Sequence, residues 1–246
     1  MKHIVPLLLV TAAISHAEIT VTVGEVSDKR TTGEFFAGLE IKLRLSGPEL
    51  TDVRGLRVKV ASATDDTGKS LVDDKKRVVF ADEFKPLEEP FGPGPKKKGE
   101  SEVTIGLANP PRAAQTVKLS GTLELISPKA DPSSVVIAKL ATDAGKPLDQ
   151  PALKAAGVEI TFKAPKGEEL SYKLKDPQNK VASVEFCDAA GKPLKTNGAS
   201  SWGSAGSKDV SVNVAKLPEG VQAKIYLLTR KSLVSVPLKM DAIKLP

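Results

Sequence analysis

The chain has 246 residues, with 36 Lys and Arg against 30 Asp and Glu for a net charge of +6, and its aromatics are few: seven Phe, two Tyr and one Trp. That length makes one large domain or two of modest size. A single cysteine, Cys187, excludes an internal disulfide and a cysteine-rich metal site, and both histidines, His3 and His16, lie within the first 17 residues, so sites built on imidazole have nothing to draw on beyond them.

Met1-Lys2-His3 precedes an apolar run, Ile4 to Ile14, and then Ser15-His16-Ala17, with small residues at the two positions a signal peptidase reads. Residues 1–17 therefore read as a cleaved secretory signal. No other apolar run approaches the roughly eighteen residues a spanning helix needs. The expectation is export, periplasmic or extracellular, with no membrane span after cleavage. Charge is balanced over residues 18–140, whereas residues 141–246 carry 16 basic against 11 acidic side chains.

From Ile19-Thr20-Val21-Thr22-Val23 onward the chain alternates apolar and polar positions, the period of a strand with one buried face. Leu39, Ile41, Leu43 and Leu45 repeat the pattern, followed by Leu56-Val58-Val60, Val103-Ile105-Leu107, Val117-Leu119, Leu123-Leu125 and Val135-Ile137. After residue 156 it resumes with Val158-Ile160-Phe162, Leu170-Tyr172-Leu174, Val184-Phe186, Val210-Val212-Val214, Ile225-Leu227 and Val234-Val236-Leu238. Only Pro151 to Ala156 looks helical, with proline at its first position and Gly157 as its stop.

Short strands separated by Gly, Pro, Asp and Asn predict an all-β fold of two antiparallel immunoglobulin-like β-sandwich domains in tandem. The division places a first sandwich at 18–140, a linker with a short helical turn at 141–156, and a second sandwich at 157–246. One large sandwich with a shared core is the competing arrangement. Lys85 to Gly99, with four prolines and three glycines, reads as a surface loop whose Lys96, Lys97 and Lys98 are either solvated or a docking patch.

Thr196 to Ser207 reads as a Gly/Ser loop carrying the only tryptophan, Trp202. An aromatic there can stack on a sugar ring or enter a partner's pocket; the plainer alternative is that it covers a sheet edge. Asp66-Thr67-Gly68 spells the aspartic-protease tripeptide, but one copy with Lys69 beside it opposes a shared-proton pair, and a turn explains the residues better. Similar turns recur at Asp143-Ala144-Gly145-Lys146 and Asp188-Ala189-Ala190-Gly191-Lys192. Asp65, Asp66, Asp73 and Asp74 are a candidate calcium cluster without the alternating ligand spacing of a calcium loop. No cofactor motif is present, and the aromatic-and-basic stripe of a nucleic-acid binder is absent, so no nucleic-acid partner is expected. Cys187 has no histidine to activate it and reads as structural.

The runs Leu39 to Leu45, Val58 to Leu71 and Val184 to Leu194 resemble the layout of uncharacterised exported bacterial proteins built of immunoglobulin-like β-sandwich modules. The resemblance spans most of the chain and rests on turn and strand grammar. It implies fold and export, and no catalytic residue carries over. The leading expectation is a non-enzymatic module with a binding, adhesion or assembly role in the cell envelope, its partner an envelope protein or a polysaccharide. A carbohydrate- or cell-wall-binding accessory module using Trp202 comes second, and a carboxylate- or metal-dependent enzyme using Asp65, Asp66, Asp73 and Asp74 third.

Overall fold

A computed structural model describes residues 19–31, 37–72, 84–85, 99–204 and 206–246. The signal segment 1–17, most of the 85–99 loop, and Asp73 and Asp74 lie outside the described residues. The protein is all-β. Every strand ladder among the described residues is antiparallel, and no sheet closes on itself.

The first half holds β1 (Thr20–Lys29), β2 (Gly38–Ser46), β3 (Gly55–Asp65), β4 (Glu100–Leu107) and β5 (Thr116–Ile126). β6 (Val135–Lys139) leads through α1 (Leu140–Asp143) and α2 (Pro151–Ala156) to β7 (Glu159–Phe162), β8 (Glu169–Lys175) and β9 (Val181–Cys187). β10 (Thr196–Ser204), β11 (Ser207–Val214), β12 (Gln222–Leu227) and β13 (Leu233–Lys244) complete the chain. The helical segment forms where the sequence places it: Pro151 opens α2 and Gly157, at φ 70°, closes it in the left-handed region.

The sheets run β1-β2-β4, β13-β5-β3, β7-β8-β11-β10 and β6-β12-β9. Alternation builds the cores. Leu39, Ile41, Leu43 and Leu45 of β2 point inward and meet Leu119, Leu123 and Leu125 of β5 in an aliphatic first core. Ile160, Phe162, Leu170 and Leu174 join Phe186, Val214, Ala223 and Ile225 in a second. Each core draws on two sheets, as alternating one-faced strands require.

Strand pairing departs from the contiguous division read in the sequence. β6, placed with the first sandwich because alternation lapses after it, pairs with β12, and β13, placed with the second, pairs with β5. The chain's last strand thus returns to the first half. Periodicity identifies a strand and its buried face but carries no record of its neighbour, so these two pairings are not legible in the sequence. Where the halves meet, Phe84, Ile126, Ala182 and Tyr226 form a small third core. Gly55 makes that approach possible, since a Cβ there would lie 3.1 Å from the Ala182 methyl and 3.3 Å from the Phe84 Cβ.

Candidate functional site

A turn sets up the site. After β9, Asp188 closes a loop in which its amide donates to the Lys192 carbonyl at 2.9 Å and its carbonyl accepts from the Gly191 amide at 2.9 Å. Its Oδ1 accepts from the amides of Ala190 and Lys192, both at 2.9 Å, and Gly191 supplies the required positive φ of 80°. Leu194 then donates its amide to the Phe186 carbonyl at 2.8 Å. From Thr196 the chain leaves for the other sheet as β10 and pairs with β11.

β9 and β10 therefore diverge from a shared turn into different sheets, and a cavity of about 640 Å³ lies between them. One wall is β9 itself, from Val181 to Phe186; the opposite wall is Tyr172, Leu174, Val210 and Val212. Leu50, Val53, Arg54, Phe84 and Glu100 of the first half also line it. Behind the walls Phe162 packs against Tyr172 and Phe186 with ring centroids 5.7 and 6.1 Å away, and Tyr172 and Phe186 are 6.2 Å apart. These tilted and edge contacts are favoured aromatic geometries and make the walls stiff.

Arg54, Glu100, Asp176, Glu185 and Lys208 bring charge to the lining. Asp176 accepts from the amides of Lys180 and Val181 at 2.8 and 2.7 Å and so fixes the start of β9. Arg54 donates through Nη1 to the carbonyls of Thr51 and Val53 at 3.0 Å, its guanidinium lies 5.8 Å from the Tyr226 ring centroid, and its buried Nε has no hydrogen-bond partner. The Tyr226 hydroxyl donates to Glu185 at 2.8 Å, and the Cys187 thiol lies 3.8 Å from the same carboxylate oxygen.

Burial, followed by the Glu185 charge, raises the pKa of the Tyr226 phenol. The same two causes push the Cys187 thiol up to about 11, so it is protonated at neutral pH and a poor nucleophile. Burial works against the Arg54 charge, but the Tyr226 hydroxyl and the Glu185 and Asp52 carboxylates outweigh it and hold its pKa above the ordinary value. The arrangement offers apolar walls, two cationic side chains, Arg54 and Lys208, and three carboxylates, Glu100, Asp176 and Glu185, the last engaged by a phenol. That is equipment for holding a ligand.

Trp202 sits in a strand where the sequence suggested a loop. It pairs with Asp209 across the β10–β11 ladder, because serine and glycine alternate well enough on an edge where neither face is deeply buried. Ala199, opposite Val212, faces the second core; Trp202, three residues on, points to the other side and is 55 % exposed. It is not part of the cavity's lining.

The two described aspartates of the candidate metal cluster, Asp65 and Asp66, have structural partners. Asp65 Oδ1 accepts from the Thr67 amide and hydroxyl at 2.9 and 2.7 Å and from the Lys69 amide at 2.9 Å. These bonds outweigh the effect of burial and lower its pKa. Asp66 accepts from the Gln115 amide at 3.1 Å. Among the described residues no three His, Cys, Asp or Glu side chains are grouped to hold a metal ion. Asp65, rather than Asp66, corresponds to Asp188: in both turns the carboxylate takes the amides two and four residues later, and a leucine amide, Leu71 or Leu194, returns to the carbonyl two residues before the aspartate.

Sequence reasoning passed over Arg54 and Glu185, since a charged residue at a strand's end or on its polar phase is the ordinary arrangement. The repeated Asp-x-x-Gly-Lys was the available signal, marking two of the places where a strand ends and the chain changes sheet. Comparison of the chain with protein-family models, curated proteins and solved structures finds no match in any of the three.

Proposed function

We propose that the protein is a non-enzymatic binding protein of the cell envelope, exported through residues 1–17, whose two immunoglobulin-like sandwich halves hold a ligand in the cleft between β9 and β10. The observation that carries this reading is the 640 Å³ cavity, within the roughly 300–1,000 Å³ of ordinary ligand sites. Its aromatic and aliphatic walls, with the donors of Arg54 and Lys208 among the lining residues, suit an apolar body bearing a hydrogen-bond acceptor.

The test uses 1-anilinonaphthalene-8-sulfonate, which has that chemistry and fluoresces when its rings leave water. Ala199→Phe projects a ring into the cavity from β10. It should weaken dye binding about tenfold, equivalent to about 1.4 kcal/mol, while the thermal unfolding midpoint stays near that of the parent. Undiminished dye binding in a folded Ala199→Phe protein would refute the cleft as the site.

A second reading has its own observation in its favour. Trp202 is a large exposed apolar residue on an outer sheet face beside Asp209 and Lys163, which lie 3.4 Å apart. A flat aromatic surface with hydrogen-bonding neighbours suits a sugar ring, and this is the carbohydrate- or cell-wall-binding alternative. Loss of polysaccharide binding in Trp202→Ala with dye binding intact would move the function to that face.

A further inference from the structure

β3 and β9 hold equivalent places in the two halves. Each pairs along one edge with a strand in the middle of its sheet, β5 or β12, and each ends in the turn that Asp65 or Asp188 closes. Their other edges differ. Along β3, Lys85 supplies a strand-like partner: its amide donates to the Leu56 carbonyl at 2.8 Å and its carbonyl accepts the Leu56 amide at 2.9 Å. Along β9 the corresponding side is the cavity.

Six consecutive residues of β9, Val181 to Phe186, line that cavity. One face of a strand contributes only every second residue, so a lining made of consecutive residues means the cavity runs along the strand's edge. The Phe186 carbonyl, taken by the Leu194 amide, is directed away from β12. Alternation of backbone direction along a strand sends the N–H and C=O of Val184 the same way. At one end of β9, then, the chain's own residues 193–194 already pair with this edge, and the cavity continues from where that pairing stops. The far rim, β10, reads Thr-Asn-Gly-Ala-Ser-Ser-Trp-Gly-Ser and is the one edge strand of the described sheets without a charged residue or a proline. Charge and proline are the usual devices that keep foreign strands away from an edge.

We propose that the cleft accepts an extended peptide as an added strand, its backbone paired with the β9 edge at Val184 and its apolar side chains, at alternate positions, entering the cavity. This rests on the cleft being the binding site and names the class of ligand it takes. A compact small molecule would use the apolar walls but would leave unused the outward N–H and C=O of Val184. A peptide uses both.

The experiment takes the protein of residues 18–246 and an equimolar pool of eight-residue peptides with Val, Leu or Phe at alternate positions and Thr or Lys between. Two further pools carry backbone N-methyl groups on one alternate set of residues or on the other. The unmethylated pool should displace 1-anilinonaphthalene-8-sulfonate and slow hydrogen exchange at the Val184 amide about tenfold or more, the effect of an amide becoming paired. Only one of the methylated pools should still bind, because in a strand only alternate residues face the partner. Dye that binds but is not displaced by the peptides overturns the peptide inference and leaves the cleft standing. Equal binding of both methylated pools, or unchanged Val184 exchange in the peptide complex, also overturns it. Failure of dye and peptides alike overturns both readings.

Discussion

The two halves solve the same problem at one edge in opposite ways. In the first, the chain brings Lys85 back onto β3 at Leu56, and the core beneath is aliphatic: Leu, Ile and Val from β2, β4 and β5 with Ala63. In the second, no comparable segment among the described residues lies on β9 between Val181 and Glu185; the core there adds Phe162, Tyr172 and Phe186 to its aliphatic side chains, and a cavity follows the strand. Branched aliphatic side chains interdigitate and fill space to crystal-like density. Rings are stiffer plates that hold a wall apart from what faces it. The comparison teaches that the composition of a core and the treatment of its edge go together: the half that seals its edge fills with leucine, and the half that leaves a cleft supports it with aromatics.

The largest test of this contrast removes the middle ring. Phe162 is 1 % exposed and touches both aromatic residues of the cavity wall, so Phe162→Ala should cost about 3–5 kcal/mol of unfolding free energy in urea. Leu123→Ala, equally buried in the first core, should cost about 2–5 kcal/mol. The two variants should differ in dye binding: Phe162→Ala lets the walls move and alters it, and Leu123→Ala leaves it as it was. Identical dye titrations for both would show that the aromatic cluster does not shape the cleft.

Next comes the charge beneath the sealed edge. Glu124 of β5 is 7 % exposed and pairs with Arg57 at 2.5 Å and Lys59 at 2.9 Å; Arg57 in turn stacks 4.3 Å from the Phe84 ring centroid, next to Lys85. Burial alone would raise the Glu124 pKa, but the hydrogen bonds and charges of Lys59 and Arg57 outweigh it and set it below the ordinary 4.5. A carboxylate whose pKa falls on folding contributes stability above its unfolded value, and that contribution is lost as pH drops through the lowered folded value. Stability should therefore decline below about pH 4.5. Glu124→Gln should cost about 3 kcal/mol at pH 7, because the enclosed Arg57 charge loses its carboxylate, and should flatten the acid limb of the stability profile. An unchanged acid limb in that variant would show that the pair does not hold the sealed edge.

How much of this the sequence displays depends on the kind of interaction. Period-two alternation gives the strands and their buried faces, from Leu39-Ile41-Leu43-Leu45 to Val210-Val212-Val214, because one-sided burial is a local property. Pro151 and Gly157 mark α2 for the same reason. Pairing is non-local: nothing in Leu233 to Lys244 states that its partner is β5 rather than a strand of the second half. The turn aspartates were visible, but only the hydrogen bonds assign the role to Asp65 over Asp66. The cleft was not visible at all. It arises where two strands leave one turn for different sheets, and each of its lining residues is, in sequence, an ordinary strand residue.

A smaller effect addresses the seam between the halves. Gly55 faces Ala182 and Phe84 closely enough that any Cβ forces one of them to yield, and Gly55→Val should cost about 1–3 kcal/mol by overpacking. Since Phe84 and Arg54 line the cavity, the same change should weaken dye binding. A Gly55→Val protein with parent-like dye affinity would mean that the second half forms its cleft without help from the first.

The smallest effect belongs to the most conspicuous residue of the sequence. Trp202 is 55 % exposed on the face of β10 turned away from the cavity, so Trp202→Ala removes little buried surface and should change stability by no more than about 0.5 kcal/mol. Its emission should lie at the long wavelength of a solvated indole and stay there when the cleft fills, because ligand and ring are on opposite sides of the same strand. A blue shift of Trp202 fluorescence on peptide binding would show that the added strand pairs along β10 instead of β9. The contrast between the halves would then turn on β10, the neutral edge, with β9 serving only as the wall behind it.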